Sequence, residues 1–175
     1  MSGMKRLLPV LMLAALGIGP AQGQTSALKG HNSDAPVDVA ADRIEVQDRA
    51  DRAIFSGNVV VRQGELTLTA ARLTVAYSSG GGVQLRRIDA TGGVTVRGPA
   101  ETARGDVGIY DLEKRIITLI GGVSLVQKDA RVNGGRLVID LDSGRAVMDG
   151  GGPPGTSRQG GRVTGTFTVP PRKGG

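Results

Sequence analysis

The chain has no cysteine and no tryptophan, two phenylalanines, two tyrosines and one histidine. Without cysteine there is no disulfide, no metal-thiolate site and no thiol nucleophile, so an exported form of this chain must hold together by burial and strand pairing. Phe55, Phe167, Tyr77 and Tyr110 are too few to build a base-stacking platform, which argues against nucleic acid as a partner. His31 alone cannot supply a Ser-His-Asp triad or a histidine-rich metal site, and in its polar surroundings it is expected to be solvated. A nucleophile elbow, a paired-histidine zinc helix and a phosphate-binding glycine loop are also missing. Arg104-Gly105-Asp106 spells an adhesion tripeptide but falls inside a repeat that explains it better. Asp140-Leu141-Asp142-Ser143-Gly144 starts like a calcium loop and has no closing glutamate, so it reads as a turn. Glu65 and Glu101 are the remaining carboxylate pair to weigh for glycoside hydrolysis, and nothing in the sequence joins them. No enzyme, cofactor or metal is indicated.

A membrane-spanning apolar run is lacking too. Leu7 to Leu16 is apolar except for Pro9, which is short of the roughly 20 residues that cross a bilayer. With Lys5 and Arg6 before it and the small residues around Ala21-Gln22-Gly23 after it, the run reads as an export signal cleaved near Gly23, which places the mature chain in the periplasm. A retained anchor is the alternative. The expected layout is a signal peptide over 1–23, a disordered polar segment over 24–36, one domain over 37–150, a Gly/Pro linker over 151–161, and a strand with a basic tail over 162–175. The formal charge of +6 falls to +4 once Lys5 and Arg6 are removed. That excess favours anionic partners such as phosphorylated lipid.

What the chain does have is a repeat of about 30 residues. Arginine followed by an apolar-x-apolar pair recurs as Arg43-Ile44-Glu45-Val46, Arg72-Leu73-Thr74-Val75, Arg104-Gly105-Asp106-Val107 and Arg136-Leu137-Val138-Ile139, the third copy being imperfect. Between them, a glycine flanked by alternating apolar residues recurs in Phe55 to Val61, Ala90 to Val96 and Leu119 to Leu125. Period-2 alternation rich in Val, Ile, Leu and Thr means half-buried strands, so the fold is predicted to be all-β. Each glycine falls on the apolar face and marks either a bend or a place where something approaches the backbone.

The inward phase also slips by one residue, between Leu66, Leu68, Ala70 and the set Ala71, Leu73, Val75, Tyr77. It slips again between Ala130, Val132 and Leu137, Ile139, Leu141. In a straight strand such a slip would turn the buried set to solvent, so each must be a corner. Each repeat is therefore expected to feed both of two packed sheets, as in a jelly roll or a short solenoid. Ser78 to Gly82, Asp111 to Lys114 and Asp142 to Gly144 supply the turns.

Taken together behind an export signal, the Arg-apolar-x-apolar frame, Ala41-Asp42-Arg43-Ile44-Glu45-Val46 and Phe55-Ser56-Gly57-Asn58-Val59 resemble the OstA-like/LptA family of lipopolysaccharide-transport proteins. The resemblance covers about 37–150, with the 162–170 stretch similar to the family's C-terminal end. It implies a twisted β-jelly roll of antiparallel strands, built here from about four two-strand repeats, that carries lipopolysaccharide acyl chains between its sheets. The interior candidates are Ile44, Val46, Phe55, Val59, Val61, Leu73, Val75, Ile88, Val94, Val96, Val107, Ile109, Ile117, Leu119, Val123, Leu125, Leu137 and Ile139. It also implies partners: an inner-membrane LptC-like protein, an outer-membrane LptD-like protein, and further copies of the chain added head to tail. The chain is too short for an LptD barrel, and an LptC-like subunit would keep its leader as an anchor. A structural or polysaccharide-binding exported β-solenoid is the rival from another class, and a hydrolase stands behind it.

Overall fold

The computed structural model describes residues 28, 30–128, 130–151 and 161–167. The expected signal sequence, most of the expected linker and the basic tail lie outside them. Among the described residues the chain forms ten strands and one 3-10 turn at Asp48–Ala50. Six long strands make the body: β3 (Arg52–Gln63), β4 (Leu66–Ser78), β5 (Gln84–Arg97), β6 (Glu101–Asp111), β7 (Ile116–Gln127) and β8 (Ala130–Asp140). Each pairs antiparallel with the next. Two short strands, β1 (Asp38–Ala40) and β2 (Arg43–Gln47), pair with the two halves of β3, and β9 (Arg145–Asp149) and β10 (Thr164–Phe167) do the same on β8.

The ten strands form one sheet, folded along a line that crosses every long strand. The line is built from bulges. Ser56 pairs with Arg72 and Val59 with Ala70, so Gly57-Asn58 stand opposite Ala71 alone. Gly92-Gly93 stand opposite Asp106, and Gly121-Gly122 opposite Gly135, in the same way. An extra residue bends its strand and sharpens the local twist, so aligned bulges crease the sheet into two layers. Gly57, Gly92 and Gly121 have φ of +79°, +83° and +83°, and a Cβ on Gly92 would sit 2.6 Å from that of Ala71. The repeated glycines are therefore corner residues, required by left-handed backbone and close approach.

The crease also explains the slipped phase: Ala70 and Leu73 both point inward, with the exposed Ala71 and Arg72 between them. It corrects the third repeat. The corner residue there is Asp106, equivalent to Asp42, Ala71 and Gly135, so the arginine position is taken by Val107. Arg104 belongs to the other layer, three residues upstream. The all-β, two-layer, jelly-roll expectation holds, with the sheet left open at both ends.

Candidate functional site

The inner faces of the two layers form continuous apolar rows that run across the strands. In the layer before the crease of β3, cross-strand pairing aligns Phe55, Leu73, Ala90, Gly108, Leu119, Leu137 and Met148. In the other layer it aligns Val39, Val61, Leu68, Val96, Ala103, Leu125 and Val132, ending on Gly165 of β10. The rows close on one another: Leu73, Ala90, Leu119, Leu137 and Ile139 are fully buried. Gly108 makes room at the centre, since a Cβ there would lie 2.9 Å from Val94 Cγ1.

Of the interior candidates, Val59, Val61, Leu73, Val75, Ile88, Val94, Val96, Ile117, Leu119, Val123, Leu125, Leu137 and Ile139 are buried in this core, and Phe55 packs partly against it. Four are placed differently. Val107 and Ile109 alternate with the buried Gly108 and Tyr110, so they lie on the outer face, half-buried. Reading the third repeat from Arg104 put them out of phase. Ile44 and Val46 pair with Phe55 and Ala53 and share their face, but they are 56% and 57% exposed because, among the described residues, nothing covers the end strand β2. Leu66, Leu68, Ala90, Ala103, Tyr110 and Leu141 also belong to the core. Leu66 and Leu68 were legible from their alternation, whereas Tyr110 was hidden by the misplaced repeat.

Away from the crease, the hairpin turns of the two layers face each other across an open side, and the polar segment before β1 lies over it. This overturns the expected disorder for Leu28 and residues 30–36. Leu28 is 2% exposed and belongs to the core cluster, where it occupies the place a side chain on Gly98 would take. His31 N–H donates to Leu28 O at 3.0 Å, and Asp34 N–H to Asn32 Oδ1 at 3.1 Å, which fold the segment on itself. Gln63, 2% exposed at the end of β3, donates Nε2 to Ser33 O and Ala35 O at 2.8 and 3.0 Å. Its Oε1 lies 3.2 Å from His31 Nε2 and accepts from the Tyr110 hydroxyl at 3.0 Å. His31 is therefore a partner of the core polar cluster rather than a solvated side chain. Burial pushes the Tyr110 phenol above its ordinary pKa. Arg115 reaches Asp142 at 3.1 Å and Asp34 at 2.9 Å, which ties the segment to the turns of the layer opposite Gln63 and raises the guanidinium further.

At the C-terminal end the layers part around a cavity of about 310 Å³ lined by Leu125, Val132, Leu137, Met148, Val163 and Phe167, with Glu101 and Gln127 at its polar side. That volume is at the low end of small-ligand pockets, about 300–1,000 Å³. Glu65 is exposed near His31 and Pro99, whereas Glu101 is 5% exposed at the start of β6 and lines the cavity. Asp140 accepts from the N–H groups of Asp142 and Ser143, confirming a turn and holding its carboxyl below the ordinary value. No metal-binding cluster occurs among the described residues.

The family described as LptA/(LptD N-terminal domain) LPS transport protein matches residues 38–145. An uncharacterized protein of Rhizobium meliloti (strain 1021) is 32% identical over 154 residues, covering 78% of this chain and 83% of that protein. The LPS-assembly protein LptD of Yersinia pestis bv. Antiqua (strain Antiqua) is 36% identical over 88 residues, covering 49% of this chain but only 11% of LptD. In fold, the chain resembles the crystal structure of LptH, the LptA-homologous periplasmic component of the lipopolysaccharide transport device of Pseudomonas aeruginosa. The TM-score is 0.69 at 19% identity, over 79% of this chain and 99% of LptH. The creased sheet and a family match running from β1 to the start of β9 agree, and the chain belongs to the LptA/(LptD N-terminal domain) family of LPS transport proteins.

Proposed function

We propose that this protein is a periplasmic, non-catalytic carrier that holds the acyl chains of lipopolysaccharide between its two layers and bridges inner-membrane LptC-like and outer-membrane LptD-like partners. One observation carries the reading: two facing apolar rows run from one end of an open sheet to the other. A trough of Val, Leu, Ile, Ala and Gly asks nothing of a ligand but apolar surface. Each buried methylene contributes about 0.8 kcal/mol in gross terms, so one acyl chain offsets a sizeable docking cost.

The open ends fit a bridge. The exposed Ile44 and Val46 of the end strand β2 would be buried by a partner's sheet added edge to edge, which would carry the trough into the next molecule. Export through a signal cleaved near Gly23 would place the carrier in the periplasm. N-terminal sequencing of the protein from a periplasmic extract checks that point.

A second reading, a structural module that binds no lipid, is favoured by the closed packing around Leu119 and Leu137. A photoreactive residue at Leu125 or Met148 in living cells decides between them. Capture of lipopolysaccharide there, and not from an outward position such as Thr118, supports the carrier; capture from neither supports the module.

A further inference from the structure

The two layers are joined on one side by the glycine crease and on the other by something quite different. Gln63 and Tyr110 belong to opposite layers, and so do the turns at Gly98 and Arg115. The segment of Leu28 and residues 30–36 touches all four. It seats Leu28 against Gly98, takes two hydrogen bonds from Gln63 through the carbonyls of Ser33 and Ala35, and offers Asp34 to Arg115.

Building on the carrier reading, we propose that this segment is a strap that latches the open side of the two-layer fold, and that it must lift before an acyl chain enters. The closed rows leave no room for a chain beside Leu119, so loading requires the layers to separate. Separation about the crease draws Gln63 away from Tyr110 and Arg115 away from Gln63, and every strap contact then lies on one layer or the other. The latch consists of one buried leucine, one glutamine and one exposed ion pair. An exposed pair of this kind holds weakly, and a single apolar anchor can be exchanged for an incoming apolar chain. Leu28 thus occupies the trough in place of the ligand and leaves it when the ligand arrives. Lifting the strap creates the binding-competent state, and the apparent affinity falls with the fraction of molecules that reach it.

The full mature chain carries the test. Because it has no cysteine, the double variant Asp34→Cys/Arg115→Cys gives a unique thiol pair that a short bis-methanethiosulfonate links and a reductant releases. Uptake of an anthroyloxy-labelled palmitic acid and of purified lipopolysaccharide is followed by stopped-flow fluorescence and competition. The linked form is expected to load about tenfold more slowly, or worse, than the same protein after reduction. A separate variant, Leu28→Ser, removes the apolar anchor of the strap and leaves every strand unchanged, and it is expected to load faster than the parent. Equal rates for linked and reduced forms overturn the strap and leave the carrier standing. Binding by no form, reduced or native, removes the carrier reading and the strap with it.

Discussion

The Tyr110 hydroxyl of one layer donates to Gln63 Oε1 of the other at 3.0 Å, and this is the hub of the buried polar cluster. Replacing Gln63 with Leu strips a partner from the phenol and from two strap carbonyls at once. Buried polar groups left unpaired cost about 1–3 kcal/mol each, so Gln63→Leu should lower the urea midpoint markedly. Tyr110→Phe should cost less, because Gln63 Oε1 keeps His31 beside it. Equilibrium unfolding of both variants gives the ranking.

The same phenol sets a pH limit. Its pKa is raised in the folded state, chiefly by burial, so the stability it contributes is fully present below its unfolded value of about 10 and is lost as pH rises through the folded value. Thermal melts across the alkaline range should show this loss in the parent and a flatter profile in Tyr110→Phe.

Leu119 is fully buried and alternates with the half-buried, outward Thr118. Leu119→Ala should cost about 2–5 kcal/mol, Leu119→Asp should abolish folding and lipid capture, and Thr118→Asp should be tolerated. Circular dichroism and photocrosslinking on the three variants check the order; a tolerated Leu119→Asp would reverse the assigned strand phase.

At the crease, Asn58 adopts φ +47° and Gly122, its counterpart in β7, φ +49°. Gly122→Asn should therefore change stability by no more than about 0.5 kcal/mol, since asparagine accepts the left-handed region. Gly121 lies at φ +83° with Asp106 directly over it. Gly121→Ala should be destabilising by well over about 1 kcal/mol, measured by thermal unfolding.

Strand β10 occupies the edge of β8 at residues 130–133. Cutting the chain after Gly151 should bare that edge and strengthen concentration-dependent, head-to-tail association through unlike edges. Sedimentation velocity over a concentration series on both forms tests this. Strictly monomeric behaviour, or a closed dimer alone, would count against a bridge.

The two-layer fold was legible because period-2 alternation and its one-residue slips report directly on which face is buried. Slips between Ala70 and Leu73 and between Val132 and Leu137 mark the crease in the residues themselves. The third repeat was misread because Arg104 mimics the corner arginine three residues early, while the true position holds Val107. The exposure of Ile44 and Val46 was not legible, since alternation tells which face a residue takes and not whether anything covers that face. Nor was the seat of Leu28: a single apolar residue in a polar stretch carries no periodicity, and its place depends on a gap at Gly98, far along the chain.

Because strands pair in chain order from β3 to β8, each hairpin is supported mainly by its immediate neighbours. Such an array behaves as a one-dimensional lattice, in which the terminal units have one neighbour instead of two. Amide exchange should accordingly be slowest in β5 and β6 and quicken towards both ends. Docking of a partner sheet at either end would then supply the missing neighbour and move the frayed boundary outward, so that assembly stiffens the very units through which it occurs.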